Sequence, residues 1–101
     1  MIVRIWHGWT RPEDAEAYRR LLQTKILPGI HRVRGYRGSY LLSRSREKEI
    51  EFVTLTLWES MDAVAEFAGT DSAHAVVPEE ARRLLTRFDD RSEHYEGEWV
   101  P

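Results

Sequence analysis

Residues 50–58 read IEFVTLTLW, a run dense in β-branched and aromatic residues that stops at Glu59–Ser60, where a helix can start. Such a run reads as a β-strand. Its two faces decide the fold. Val53, Leu55 and Leu57 form one; Phe52, Thr54, Thr56 and Trp58 form the other, and neither is charged through the centre. An antiparallel sheet with one wet face alternates apolar with charged residues. This strand therefore calls for cover on both sides, and the rest of the chain must supply it.

Working outward toward the C-terminus, Ser60 caps a helix whose inner face is Ala63, Val64, Phe67 and Ala68, with Gly69 as its stop. Residues 71–77 read as a short irregular or helical piece. Pro78 opens a further helix, with Glu79 and Glu80 in its first turn and Ala81, Leu84, Leu85 and Phe88 facing inward. Residues 92–99, with Tyr95 and Trp99 among alternating acids, read as a closing strand.

Toward the N-terminus, residues 44–49 form a hairpin loop that joins the central strand to an antiparallel neighbour over 36–43. Residues 2–9 are a first strand. Thr10, Pro12, Glu13 and Asp14 then start a helix over 11–26, whose stripe is Ala15, Tyr18, Leu21, Leu22 and Ile26 and which Pro28–Gly29 ends. The order is β-α-β-β-α-(α)-β. That is the split βαβ or ferredoxin-like unit, an α+β fold with a four-stranded antiparallel sheet, in one domain over residues 1–101.

The amphipathic helices can cover only one face of this sheet. Strand parity puts Val3, Ile5 and His7 on the helix side and leaves Trp6, Tyr36, Tyr40, Phe52 and Trp58 on the other. A patch of that size is larger than monomers usually expose. Two copies placed sheet to sheet would bury it symmetrically, so the expected partner is a second copy of the chain.

Composition narrows the function. A net charge of −2 argues against a surface that tracks nucleic-acid phosphates. The clusters Arg32/Arg34/Arg37 and Arg82/Arg83/Arg87 read as solvated charge balanced by nearby acids. The chain has no cysteine, which removes disulfides, thiolate metal sites and a cysteine nucleophile. No metal-ligand spacing such as HExxH, no glycine-rich phosphate loop and no GxSxG elbow is present. The start, MIVRIWHGW, does not read as a secretory signal, and no run is long enough to span a bilayer. The expected compartment is the cytoplasm.

Four stretches carry a resemblance: WHGWT in the first strand, LPGIHRVRGYRGSYLL after the first helix, FVTLTLWESMDAVAEFAG, and VVPEEARRLLTRFDDRSEHYE. Together they resemble the antibiotic biosynthesis monooxygenase-like group of dimeric α/β barrel proteins, over nearly the whole chain. The resemblance implies a homodimer with a pocket between the helices and the sheet of each subunit. It also implies oxidation of an electron-rich aromatic or quinol-type molecule by oxygen, with no bound cofactor. A non-catalytic, ligand-binding or stress-associated domain of the same fold is the alternative.

Oxidation without a cofactor needs a base, a hydrogen-bond donor and an apolar enclosure. Of the four histidines, His7 and His74 are the catalytic candidates: His7 by its placement on the helix side, His74 because related proteins line the pocket mouth after the second helix. Trp9, Tyr40, Trp58, Phe67 and His94 are the expected pocket-lining residues, and His31 reads as solvated. Haem-degrading members carry an asparagine where this chain has Trp6–His7 and a tryptophan at the match to Phe67. Their axial histidine aligns near Val77, three residues after His74. These departures point away from haem chemistry.

Overall fold

A computed structural model describes all residues, 1–101. The central run forms β3 (Glu49–Trp58), paired antiparallel on one side with β2 (Tyr36–Arg46) and on the other with β1 (Ile2–Thr10). β2 and β3 are longer than the sequence suggests, because their pairing continues to Arg46↔Glu49 and the hairpin turns on Glu47–Lys48 alone, with Glu47 at φ 53°.

The far edge of β1 is shared by two short strands. β4 (Leu85–Phe88) pairs with Gly8–Thr10, and β5 (Glu93–Glu96) pairs with Ile2–Ile5. Between them the chain loops out, with Asp89 N–H bonded to His7 O at 3.0 Å. The sheet order β2-β3-β1-β4/β5 is that of the ferredoxin-like unit, with its fourth strand in two pieces. No helix is long and apolar enough to cross a membrane.

The first helical segment runs further than predicted. A 3-10 turn (Pro12–Asp14) leads into α1 (Ala15–Leu21), a π-helical turn (Leu22–Ile26) and α2 (Leu27–Ile30). Proline inside an α-helix loses an amide and presses on the carbonyl four residues back. Here the preceding turn is widened, with Leu27 N–H bonded to Leu22 O in an i to i−5 pattern. The wider turn accommodates Pro28, so the helix passes through it.

α3 (Met61–Ala68) follows prediction: Ser60 Oγ accepts from Ala63 N–H at 3.2 Å, and Gly69 ends the helix at φ 91°. The helix expected from Pro78 through Phe88 is instead one turn, α4 (Glu79–Arg82), followed by β4. Leu84, Leu85 and Phe88 fit a helical stripe, but the open edge of β1 offers Leu85–Phe88 a ladder of backbone hydrogen bonds, and pairing overrides the local period. Gly8 allows the approach, since a Cβ there would sit 2.9 Å from Leu85 Cδ2.

The faces of the sheet are the reverse of the parity assignment. Phe52 and Trp58, both fully buried, pack under the helices with Ile2, Tyr18, Leu22, Ala63 and Val64. Val3, Ile5, Val53, Leu55 and Leu57 lie on the open face, partly exposed, beside the exposed Tyr40 and Leu42. Both faces are apolar, so alternation alone could not orient them. The widest rings fill the gap between helix and sheet. A bulge in β2 adds to the misreading. Tyr36 faces Trp58 and Gly38 faces Leu57, so Arg37 is an extra residue, and Tyr36 and Tyr40 end on opposite faces.

Candidate functional site

Between the sheet and the helices lies a cavity of about 60 Å³. The helical segment contributes Tyr18, Leu22, Ile26, Leu27 and Ile30; α3 contributes Phe67; the chain before α4 contributes Val76, Val77 and Pro78. The sheet contributes Arg4, Trp6, Thr54 and Thr56 as its floor. Val76 is on the wall and 44% exposed, which puts the mouth beside it.

Arg4 is the one charged residue of the wall, and it is only 4% exposed. Its Nη1 donates to Ser72 O and to His94 Nε2, the latter at 2.9 Å, and its Nη2 donates to His74 O at 3.0 Å. The guanidinium carbon stands 5.7 Å from the centre of the Phe67 ring. No carboxylate pairs with this cation. Burial alone lowers its pKa to about 10, which leaves it charged at neutral pH.

His94 accepts from Arg4 through Nε2, so its own proton sits on Nδ1. Burial first, and the Arg4 charge second, hold its pKa below the ordinary histidine value. Tyr18 is 1% exposed, tilts against Phe52 at 4.8 Å, and has its phenol pKa pushed up by burial. Thr54 Oγ1 is buried on the cavity floor with no hydrogen-bond partner. Thr56 Oγ1, by contrast, is taken by Trp58 Nε1 at 2.8 Å.

Among the residues expected from sequence, Phe67 lines the cavity and His94 touches it through Arg4. Trp58 is entirely core, tilted against Phe67 with ring centroids 5.3 Å apart. His7 lies on the open face, with Nδ1 3.2 Å from Asp89 Oδ2 and Nε2 3.9 Å from Glu51 Oε2. Trp9 shares that face under Arg87, and Tyr40 is exposed there. His74 contributes its backbone carbonyl to Arg4, while the residue itself is exposed. The two arginine clusters are exposed, as expected, and Arg37, Arg83 and Arg87 pair with Glu59, Glu79 and Glu49.

Sequence reasoning passed over Arg4, Trp6, Tyr18 and Thr54. The signal for Arg4 was present: a lone charge whose same-face neighbours are Ile2 and Trp6. Of the haem-degrader positions, Trp6, Phe67 and Val77 face the cavity and His7 does not, and the wall offers no imidazole or thiol. The wall does not fit an axially ligated haem.

The model of the antibiotic biosynthesis monooxygenase family matches residues 1–79, and the chain belongs to that family. Many solved structures share its fold, three of them the following. The heme-degrader MhuD of Mycobacterium tuberculosis, with two hemes bound in its active site, is 20% identical, with 100% of this chain and 99% of that one covered and a TM-score of 0.61. SnoaB, a cofactor-independent oxygenase from Streptomyces nogalater, is 20% identical over 98% and 95%, TM-score 0.55. The monooxygenase from ActVA-Orf6 of Streptomyces coelicolor, in complex with Nanaomycin D, is 16% identical over 99% and 91%, TM-score 0.57. At these identities the likeness is one of fold. Among curated proteins no sequence matches the chain.

Proposed function

We propose that residues 1–101 form one domain that acts, as a homodimer, as a monooxygenase on an aromatic or quinol-type small molecule held in the helix–sheet cavity. The observation that carries this reading is the cavity itself, walled by Trp6, Leu22, Ile26 and Phe67 in a chain of this family. The family's fold also includes a cofactor-independent oxygenase and a monooxygenase in complex with the ligand Nanaomycin D.

In this chemistry the substrate supplies the electrons. Loss of a phenolic or enolic proton leaves an anion that passes one electron to O2. The radical pair combines to a carbon-bound peroxide, and loss of water leaves a new carbonyl. One oxygen atom stays on carbon and the other departs in water. The apolar wall keeps bulk water away from the anion and strengthens any charge opposite it.

Dimerisation is supported by the open sheet face, where Val3, Ile5, Val53, Leu55, Leu57, Tyr40 and Leu42 form a continuous apolar surface. A second copy laid across it would close the barrel. The test of function is oxygen uptake under ¹⁸O2 with single-ring hydroquinones, matched to a cavity of about 60 Å³, and with larger reduced hydroxynaphthoquinones. A protein-dependent rate and one labelled oxygen per product are expected. Uptake no faster than the spontaneous rate for every substrate would end the reading.

One observation favours a second reading, a ligand-binding domain without turnover. No histidine or carboxylate side chain lines the cavity, so no general base faces its contents.

A further inference from the structure

Arg4 presents an imbalance that the fold does not resolve internally. A buried guanidinium normally pairs with a carboxylate, because an uncompensated buried charge is costly. Here its protein acceptors are two backbone carbonyls and a neutral imidazole, none of which carries a countercharge. Nε–H and one Nη2 hydrogen have no protein acceptor, and the residue stands on the cavity wall. The hydroxyl of Thr54, on the same floor, is buried without a partner.

We propose that this cavity is an anion site, and that it takes a small planar aromatic acid in its ionised form, a phenolate or enolate, with the ionised oxygen on Arg4 and the ring against Phe67. The proposal rests on reading the cavity as a small-molecule site and names its ligand class. It also accounts for the missing base. Arg4 favours the anion over the parent phenol, so the ligand's own pKa falls on binding and solvent at the open mouth can take the proton. Arg4 is held by the carbonyls of Ser72 and His74, in the stretch just before Val76 and Val77. The segment that borders the mouth is thereby tied to the cation, and the charge keeps one position relative to the entrance.

The probe is 4-nitrophenol, whose anion absorbs visibly, with 4-nitroaniline as its neutral isostere. On the wild-type protein the phenolate is expected to bind at least roughly tenfold more tightly than the aniline, the low end for a hydrogen bond to a charged group. The bound phenol is expected to ionise about one pH unit lower than the free one, the same tenfold preference read spectroscopically. Arg4→Met removes the charge with similar bulk. It is expected to abolish both effects, costing the phenolate far more affinity than 4-nitroaniline, which brings no negative charge to Arg4.

Equal affinity for the two probes on wild type, an unshifted ionisation, or no binding of either would each overturn the proposal. So would a phenolate preference that survives in a folded Arg4→Met. If Arg4→Met does not fold, the wild-type ionisation shift decides, supported by Arg4→Lys, which keeps the charge and is expected to keep most of the shift. Phenolate binding with no oxygen uptake by any substrate would retire the oxygenase reading and leave the anion site standing. Turnover with no preference between the probes would do the reverse.

Discussion

His94 accepts a hydrogen bond at 2.9 Å from Arg4, and this couples a titratable imidazole to a cation that cannot release its own proton near neutrality. Protonating His94 would remove the acceptor and set two positive charges side by side. Its folded pKa lies below the ordinary 6.5, so its contribution to stability is complete above that value and is lost as pH falls through the folded pKa. Urea unfolding between pH 8 and 5 is expected to show this loss in the wild type. It should be smaller in His94→Gln, whose amide oxygen can still accept but does not titrate. An identical pH profile in the two proteins would refute the coupling.

The reversal of the sheet faces separates two substitutions that strand parity alone would confuse. Phe52→Glu places a charge at a fully buried position between Tyr18 and the Arg19 guanidinium, and it is expected to prevent folding. Leu55→Glu places one on the open face and is expected to leave the fold intact by circular dichroism. Light scattering should show the wild type near twice 11.9 kDa and Leu55→Glu near that value itself. A folded monomer in the wild type would sink the homodimer.

For His7 and His74 the expectation is little effect on the cavity. His7→Ala and His74→Ala are expected to change 4-nitrophenolate affinity by less than about threefold, because neither side chain lines the wall. A loss of tenfold or more in either variant would restore the catalytic place that sequence reasoning assigns to that histidine.

Gly35 is expected to resist substitution. It sits at φ 91°, and a Cβ there would lie 2.7 Å from the Cβ of Ala63, which cannot swing aside. Gly35→Ala combines backbone strain with a clash against α3 and should cost about 2–4 kcal/mol in urea unfolding. A cost under about 0.5 kcal/mol, the usual range for surface changes, would mean that α3 moves freely on the sheet.

Much of the fold was legible because local signals and tertiary needs agree. Ser60 and Gly69 delimit α3, and the stripe Tyr18–Leu22 marks the buried side of the first helix. The misreadings arose where two signals conflicted. Leu84, Leu85 and Phe88 fit a helical period but sit opposite an unpaired strand edge. Phe52 and Val53 belong to faces that are both free of charge through the centre, so polar alternation does not say which one the helices choose. The site was less legible than the fold, since its charged member is an arginine in a strand, which ordinarily signals solvent. Only its apolar neighbours, Ile2 and Trp6, mark it as enclosed.

The π-helical turn has a consequence for how this pocket can vary. Such a turn is an α-helix carrying one inserted residue, and deleting one residue from Leu22–Ile26 would rotate everything beyond it by about 100°. Leu27 and Ile30 would then leave the wall, and Ile30 would leave the core cluster it shares with Trp58. The shape of the chamber on that side is therefore written in the count of residues along the helix as much as in their size. A relative that lacked the insertion would present a differently shaped chamber from an otherwise similar sequence.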